Sequence, residues 1–428
     1  MRKTHYLLTA AIFGISAASA AQAQTDSSVL ISPAIPEGYD RGRNVSVTER
    51  PRPDYDQLGI RQGSFLIFPK VTLGAGFTSN PFLVSDNAKA SAIASVAPSV
   101  SVNSDWDRDL VRLSASGLFN RYLGNSTRNE TQFDLKSLGR KDIGAAYTVT
   151  GEAQFGKFYE SPTSGAIDPA LSVLSSYYRG YLSARGQYTV GKARAVVAVD
   201  RTSFAFNDLT RTSGVRIDQG NRDRIIARVT GELQYAFTPS ASVYGQATYG
   251  TIDYSEPLAP GVANRDSTGW RVIGGLNFDL SGLMRGQVGV GYIQRNYRSA
   301  TFRDVGGFST EAQLQFFPSE LTTVTVSGGR TLEDAGVFNS SAYFDNRLGA
   351  RVDHELLRNL LLGASGEYRR QNYVDSDIHN NYFRTAANAR YLSSRFLVLG
   401  ADLGYIRRSG SGSSFNEVRG MVSVTLQR

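Results

Sequence analysis

From about residue 65 to the end of the chain, segments of ten or more residues alternate apolar and polar side chains, and a turn follows each segment. In the segment 397–405, the leucines and Tyr405 share one face of an extended strand, whereas Gly400, Asp402 and Gly404 share the other. A helix would scatter these apolar and polar positions around its axis, so the pattern predicts strands. Turn signals recur about every twenty residues, a spacing that fits long tilted membrane strands better than the short strands of a soluble sandwich.

The connections between these segments are of two kinds. Compact turns mostly carry Gly, Pro, Ser or Asp, which suit tight reversals, and they lie at 105–108, 139–142, 191–192, 239–241, 281–283, 318–320, 356–359 and 392–395. More polar and often longer connections lie between them, near 80–88, 123–128, 160–175, 207–220, 254–267, 298–304, 333–342, 373–380 and 408–414. Outer-membrane barrels combine short periplasmic turns with long extracellular loops in this way.

The sequence therefore predicts an all-β fold, a transmembrane antiparallel up-and-down β-barrel over residues 65–428. Counting the alternating segments gives about eighteen strands, an even number that leaves both chain termini in the periplasm. Sixteen strands is the alternative, because the segments around 127–138 and 358–374 are easily miscounted.

The N-terminus has the layout of a secretory signal peptide. Arg2 and Lys3 precede an apolar run from Tyr6 to Ala18, which is shorter than the ~20 residues of a spanning helix and ends in small residues. Residues 1–23 are therefore predicted to be cleaved on export to the Gram-negative cell outer membrane. Residues 24–64 carry prolines among mixed charges and predict an extended periplasmic N-terminal extension, with a small plug folded back as the alternative.

Residues of the kind that build catalytic or metal sites are scarce. The chain has no cysteine and three histidines, of which His5 belongs to the signal peptide. No zinc-ligand spacing and no Gly-x-Ser-x-Gly elbow occur, and the loop 375–379 is more typical of a solvated loop than of a protease or calcium site. The net charge of +8 is dispersed, which argues against nucleic-acid binding. The chain is predicted not to be an enzyme and to need no cofactor.

The alternation also predicts a polar interior. Charges of both signs fall on the face opposite the apolar one, and a charge on the lipid face would cost about 2–4 kcal/mol at the bilayer midplane. The predicted lumen-lining residues are Arg112, Arg179, Arg185, Arg224, Arg228, Glu232, Arg271, Glu311, Asp345, Arg347, Arg351, Arg369, Arg384 and Arg390.

Two interpretations of this lumen remain open at the level of sequence. It is either a polar channel for hydroxyl-rich or weakly anionic solutes, or a closed interior whose charges form stabilising salt bridges. Arg224 and Arg228 on one strand, and Arg347 and Arg351 on another, repeat at i, i+4, which places each pair on one face about 13–14 Å apart. They form a basic ladder in the first interpretation and part of a salt-bridge lattice in the second.

The stretches 52–69 (RPDYDQLGIRQGSFLIFP) and 73–82 (LGAGFTSNPF) resemble the N-terminal motif of an outer-membrane β-barrel porin family found beside exopolysaccharide genes in proteobacteria. The resemblance implies a barrel in outer-membrane lipid that passes secreted polysaccharide or another polar solute, with periplasmic polysaccharide-export proteins as partners. It implies no catalytic residues. One departure is Arg428, because many outer-membrane proteins end on an aromatic residue.

A different class of function is the alternative. A structural or adhesive outer-membrane barrel would have a closed lumen and would bind its partner through surface loops. The loops near 160–175 and 254–267 are the candidates for that role.

Overall fold

The computed structural model describes residues 45–161, 175–210, 216–280, 282–335, 340–411 and 414–428. The predicted signal peptide, residues 24–44 and most of the loop 160–175 lie outside the described residues. Within the described ranges, no helix is long and apolar enough to cross a bilayer.

Eighteen long strands form one antiparallel sheet, as the alternation predicts. They are β1 (Phe65–Thr78), β2 (Ser91–Ser104), β3 (Leu110–Tyr122), β4 (Glu130–Ile143), β5 (Tyr147–Tyr159), β6 (Ser176–Val190), β7 (Ala193–Phe206), β8 (Arg224–Thr238), β9 (Ala241–Tyr254), β10 (Ser267–Leu280), β11 (Met284–Tyr297), β12 (Val305–Ser319), β13 (Thr322–Asp334), β14 (Ala342–Leu357), β15 (Leu360–Tyr373), β16 (His379–Leu392), β17 (Leu397–Gly410) and β18 (Phe415–Gln427).

The sheet closes on itself. Each strand pairs with the next along the chain, and β1 pairs with β18 from Lys70 opposite Gln427 to Thr78 opposite Arg419. Closure removes the unpaired edges that a bilayer would not tolerate, because hydrocarbon offers no partner to free backbone groups. A short strand, Ile60–Gln62, doubles back on the start of β1.

The two ends of the barrel differ as predicted. Short turns join β2 to β3, β4 to β5 and so on at the end where the described N-terminal residues and Arg428 lie, and this end is here named the turn end. The connections at the opposite end, the loop end, include the longer ones. The predicted turn at 139–142 is wrong, because β4 continues to Ile143 and the reversal falls at 144–146, where Gly144 has a φ of 65°.

The outer face of the barrel is apolar. Leu182, Val197 and Leu233 are each more than half exposed, and such side chains alternate along the strands with buried or half-buried ones. Eight aromatic residues are exposed on this face, namely Tyr147, Tyr178, Tyr188, Tyr235, Phe237, Tyr292, Phe316 and Tyr391, whereas Tyr405 is half-buried. An apolar exterior with aromatic residues toward both ends fits insertion in a membrane.

Candidate functional site

Ion pairs line the inner face of the wall from β7 to β15. Arg228 on β8 lies 2.8 Å from Asp200 on β7, and Arg271 on β10 lies 3.0 Å from Glu311 on β12. The other pairs among the predicted lumen residues join Glu232 to Arg194 at 3.2 Å, Arg224 to Asp334 at 3.8 Å, Arg351 to Asp353 at 2.6 Å, and Asp345 to both Arg347 at 3.3 Å and Arg369 at 3.7 Å. All four arginines of the two i, i+4 pairs therefore have an acidic partner.

Glu311 gathers the donors of three neighbouring strands. Its carboxylate accepts hydrogen bonds from Tyr244 at 2.9 Å, Gln287 at 3.0 Å and Arg271 at 3.0 Å. Arg271 also donates to the hydroxyl of Ser309 at 2.9 Å. A buried carboxylate with its acceptor sites filled in this way stiffens the wall, because each group would otherwise lie buried without a partner.

The β13–β14 hairpin leaves the barrel wall above Arg330. Pairing between β12 and β13 stops where Thr310 faces Arg330, yet β13 continues to pair with β14 up to Asp334 opposite Ala342. Leu332 has the parity of the outward-facing residues lower on β13, but it is fully buried against Val305 and Ala342. The described residues at this end of the hairpin, 331–335 and 340–345, therefore bend into the lumen and pack on the inner face of β11 and β12.

Buried charges hold the bent hairpin in place. Asp334 at its tip forms an ion pair with Arg295 on β11 and lies 3.8 Å from Arg224 on β8. Arg265, from the β9–β10 loop, donates to the backbone oxygen of Ala335 at 2.6 Å. The sequence did not predict Arg295 and Asp334 as lumen residues, because nothing in an alternating strand shows that its end will turn inward.

The described N-terminal residues lie against the same wall at the turn end. The amide of Val47 donates to the hydroxyl of Thr323 at 3.0 Å, and Arg52 lies 2.6 Å from Glu355. Glu49 lies 3.5 Å from Arg285. Val47 and Arg52 are buried, so this part of the predicted extension, residues 46–52, packs into the mouth of the barrel.

The inner face formed by β16–β18 and β1–β3, here named the open arc, is different. Its inward-facing charged residues are mostly basic: Lys70, Arg112, Arg384, Arg390, Arg408 and Arg419 against Asp402 and Glu417. Within the described part of the chain, Arg384, Arg390 and Arg419 form no ion pair and no hydrogen bond. Arg112 donates to Asn103 at 3.0 Å and Arg408 to Asn380 at 3.3 Å, both neutral partners.

Small polar side chains fill the spaces between these cations. Ser99 and Ser101 on β2 stand directly opposite Ser116 and Ser114 on β3, and all four are half-buried on the inner face. In the described ranges their hydroxyls make no hydrogen bond to the protein. They are therefore available to water or to a solute.

Arg179 and Arg185 lie on the inner face of β6, between the two walls. Arg179 lies with its guanidinium carbon 5.6 Å from the ring centre of Tyr181. Above them, at the loop end of β6–β9, Tyr177, Phe204 and Ile226 pack in a buried apolar cluster. This part of the wall is occupied by large side chains.

A family model described as "Putative beta-barrel porin 2" matches residues 52–428. The chain belongs to this family. Membership fits the closed barrel, its apolar exterior and its polar lumen, and it makes the protein a porin-like barrel of the outer membrane. The match begins at Arg52, within the segment that packs into the turn end.

Solved structures of low sequence identity are similar in fold alone. The copper transporter OprC is 12% identical, with a TM-score of 0.47 over 86% of this chain and 82% of that one. Acinetobacter baumannii OccAB4 and Pseudomonas aeruginosa OpdL are each 12% identical, with TM-scores of 0.44 and 0.43 over 86% of this chain and 99% of theirs. No curated protein matches the sequence.

Proposed function

We propose that the protein is a passive outer-membrane conduit whose solute path follows the open arc, and that its cargo is an exported extracellular polysaccharide or a similar hydroxyl-rich, neutral or weakly anionic solute. The contrast between the two walls carries the proposal. Ion pairs, aromatic side chains, the bent hairpin and the N-terminal residues occupy the β6–β15 side, whereas the open arc presents small side chains and arginines that form no ion pair in the described ranges.

The open arc offers many weak contacts of the kind that a moving polymer needs. Serine hydroxyls such as Ser99 and Ser116 both donate and accept hydrogen bonds, which suits sugar hydroxyls. Arginines bind carboxylate and phosphate groups in two-pronged geometry. Conduction requires sites that attract a solute and also release it, and scattered single contacts satisfy both conditions.

The cations lie at several levels along the barrel axis. Arg390 lies near the turn end of β16, and Arg384 lies six residues further toward the loop end, about 20 Å along the strand. Arg419 faces the lumen from β18, and Arg408 lies near the loop end of β17. The separation of Arg384 and Arg390 is about twice the Debye length of 8–10 Å in physiological salt. An anionic group midway between these two arginines therefore lies within about one Debye length of each.

A deletion strain tests the cargo. If the conduit exports polysaccharide, the strain lacking this protein accumulates the polymer in its periplasm and secretes little. The full chain is expected to restore secretion. A chain that lacks only residues 257–262 of the β9–β10 loop is the control and should also restore it, because this loop lies outside the open arc. Normal secretion by the deletion strain would rule out polysaccharide export.

Reconstitution tests the conduit itself. The full chain in planar bilayers is expected to conduct ions and to allow small sugars through in liposome swelling. An intact barrel that passes neither ions nor sugars would contradict an open path and favour a structural or adhesive role. Periplasmic export proteins, as proposed partners, would meet the barrel at the turn end, beside residues 46–52.

A further inference from the structure

A row of polar residues crosses the outer face of the barrel at the loop end of β13–β17. Arg330 on β13 is directly opposite Asn346 on β14, which is opposite Arg370 on β15. Arg370 is opposite Asn381 on β16, which is opposite Ser409 on β17. The five residues occupy one level of the sheet on the side that faces lipid.

The next level toward the membrane centre is mostly apolar. It consists of Gly328, Leu348, Tyr368 and Phe383 on the same face, followed by Arg407 on β17. Leu348 is 61% exposed, and Tyr368 and Phe383 are nearly half exposed, so this level belongs to the apolar exterior. The polar row therefore begins where the apolar face ends, at the depth of lipid headgroups, and the loop end places it in the outer leaflet.

Three arginines in this patch have no acidic partner. In the described part of the chain, no Asp or Glu forms an ion pair with Arg330, Arg370 or Arg407, and the outer face of β13–β17 has no acidic residue below the hairpin bend. Arg370 and Arg407 are exposed. Lipid-facing arginines in hydrocarbon would be costly, so their position requires an anion or water around the guanidinium groups.

Neighbouring asparagines hold two of these arginines on the surface. Arg330 donates to the side-chain oxygen of Asn346 at 2.7 Å, and Arg370 donates to that of Asn372 at 3.1 Å. The ring of Phe344 lies 4.0 Å from the Arg330 guanidinium carbon and the side-chain oxygen of Asn381 accepts from Tyr368 at 2.9 Å. The remaining guanidinium N–H groups are free to point outward, because each guanidinium has five donors.

We propose that the surface formed by Arg330, Arg370 and Arg407, with the asparagines between them, binds the phosphate groups of an anionic lipid in the outer leaflet. The guanidinium group of arginine recognises phosphate oxygens, and each basic residue at a membrane surface adds to the attraction for an anionic headgroup. The ligand is a membrane lipid, because its acyl chains would lie on Leu348, Tyr368 and Phe383 below the headgroup.

The test uses the full chain in detergent micelles and measures bound lipid by native mass spectrometry. The probes are bisphosphorylated lipid A, its dephosphorylated form and inorganic phosphate. The wild-type chain is expected to retain the phosphorylated lipid and to bind the dephosphorylated form at least tenfold more weakly. R330Q/R370Q/R407Q is expected to weaken binding by roughly a hundredfold, if each arginine contributes as a basic residue usually does at an anionic surface.

A matched control changes the same number of outward-facing basic residues elsewhere. R121Q/K157Q/R201Q removes three such charges from β3, β5 and β7, where Lys157 and Arg201 lie at different levels of the sheet. This variant is expected to change lipid binding less than twofold. Equal losses in both triple variants, equal binding of the dephosphorylated lipid, or displacement of the lipid by millimolar inorganic phosphate would overturn the site. If the first triple variant does not fold, R370Q/R407Q serves, because both side chains are exposed.

Discussion

Tyr244 on β9 reaches across β10 and β11 to donate its hydroxyl to Glu311 on β12. The residues beneath its ring and hydroxyl are glycines: a Cβ at Gly275 would lie 2.5 Å from the Tyr244 ring, and one at Gly289 would lie 2.2 Å from its hydroxyl. Because Gly275 and Gly289 have no side chains, the Tyr244 side chain can cross β10 and β11 and connect β9 to β12.

Gly289→Ala should therefore destabilise the barrel although it adds one methyl group. The methyl must displace the Tyr244 hydroxyl from Glu311, and overpacking of this kind costs about 1–3 kcal/mol. Tyr244→Phe should cost about 1.5–3 kcal/mol, because it removes a hydrogen bond to a charged group. Urea unfolding in micelles measures both, and Gly245→Ala is the control, since nothing lies within 4 Å of a Cβ there. If Gly245→Ala lowers the free energy of unfolding as much as Gly289→Ala does, the effect comes from replacing any strand glycine and not from the contact with Tyr244.

The paired arginines should act on stability and leave ion selectivity unchanged. Arg228 and Asp200 are both largely buried, and removing one partner of such a pair costs about 3–5 kcal/mol. Replacing Arg228 alone with Gln is expected to lower the unfolding temperature, because Asp200 is left without its cation. A charge-neutral variant replaces Arg224, Arg228, Arg347 and Arg351 with Gln and their partners Asp334, Asp200, Asp345 and Asp353 with Asn, and its reversal potential in a salt gradient is expected to stay where it was. A shift toward cation preference in this variant would mean that the four arginines act on the pore and that their acids do not neutralise them.

The arginines of the open arc should behave in the opposite way. Arg384, Arg390 and Arg419 form no ion pair in the described ranges, so R384Q/R390Q/R419Q removes positive field from the lumen and breaks no buried pair. The expected result is a reversal potential shifted toward cations with little change in unfolding temperature. The charge-neutral variant of the paired arginines is its control. Unchanged selectivity here would argue against a solute path along the open arc.

The alternation of side chains was enough to predict the class of fold, because the lipid and the lumen sort most residues of the strands by parity. Arg228 and Val229, for instance, cannot exchange faces without placing a charge in hydrocarbon. The strand count followed from the same rule. The turn at 139–142 was misplaced because Gly139 and three charged residues imitate a reversal, whereas Arg140 and Asp142 share the inner face and lie on the still-paired end of β4.

Features that depend on contacts between distant strands were beyond the sequence. Alternation continues as far as Leu332, and only the inner face of β11 and β12 shows why Leu332 is buried and why Asp334 has a cationic partner. The sequence also treated Arg228 and Arg384 as equivalent lumen residues. Arg228 lies opposite Asp200 on the neighbouring strand and pairs with it, whereas Arg384 forms no ion pair in the described ranges. This difference can be seen only once the register of the strands is known.

The bent hairpin leads to the last prediction. Asp334 is the carboxylate that joins the hairpin to Arg295 and Arg224, so Asp334→Asn leaves the buried guanidinium of Arg295 without its anion and removes an anion from beside Arg224. The hairpin is expected to loosen, which should raise single-channel conductance or its fluctuations and make its described residues, 331–335 and 340–345, more accessible to protease. Asp253→Asn is the control, because that carboxylate forms an exposed pair with Arg298 at 2.9 Å outside the lumen and should change neither measurement. Wild-type conductance together with wild-type protease resistance in Asp334→Asn would show that the packing of Leu332 against Val305 and Ala342 is sufficient to hold the hairpin, and that its charges are dispensable.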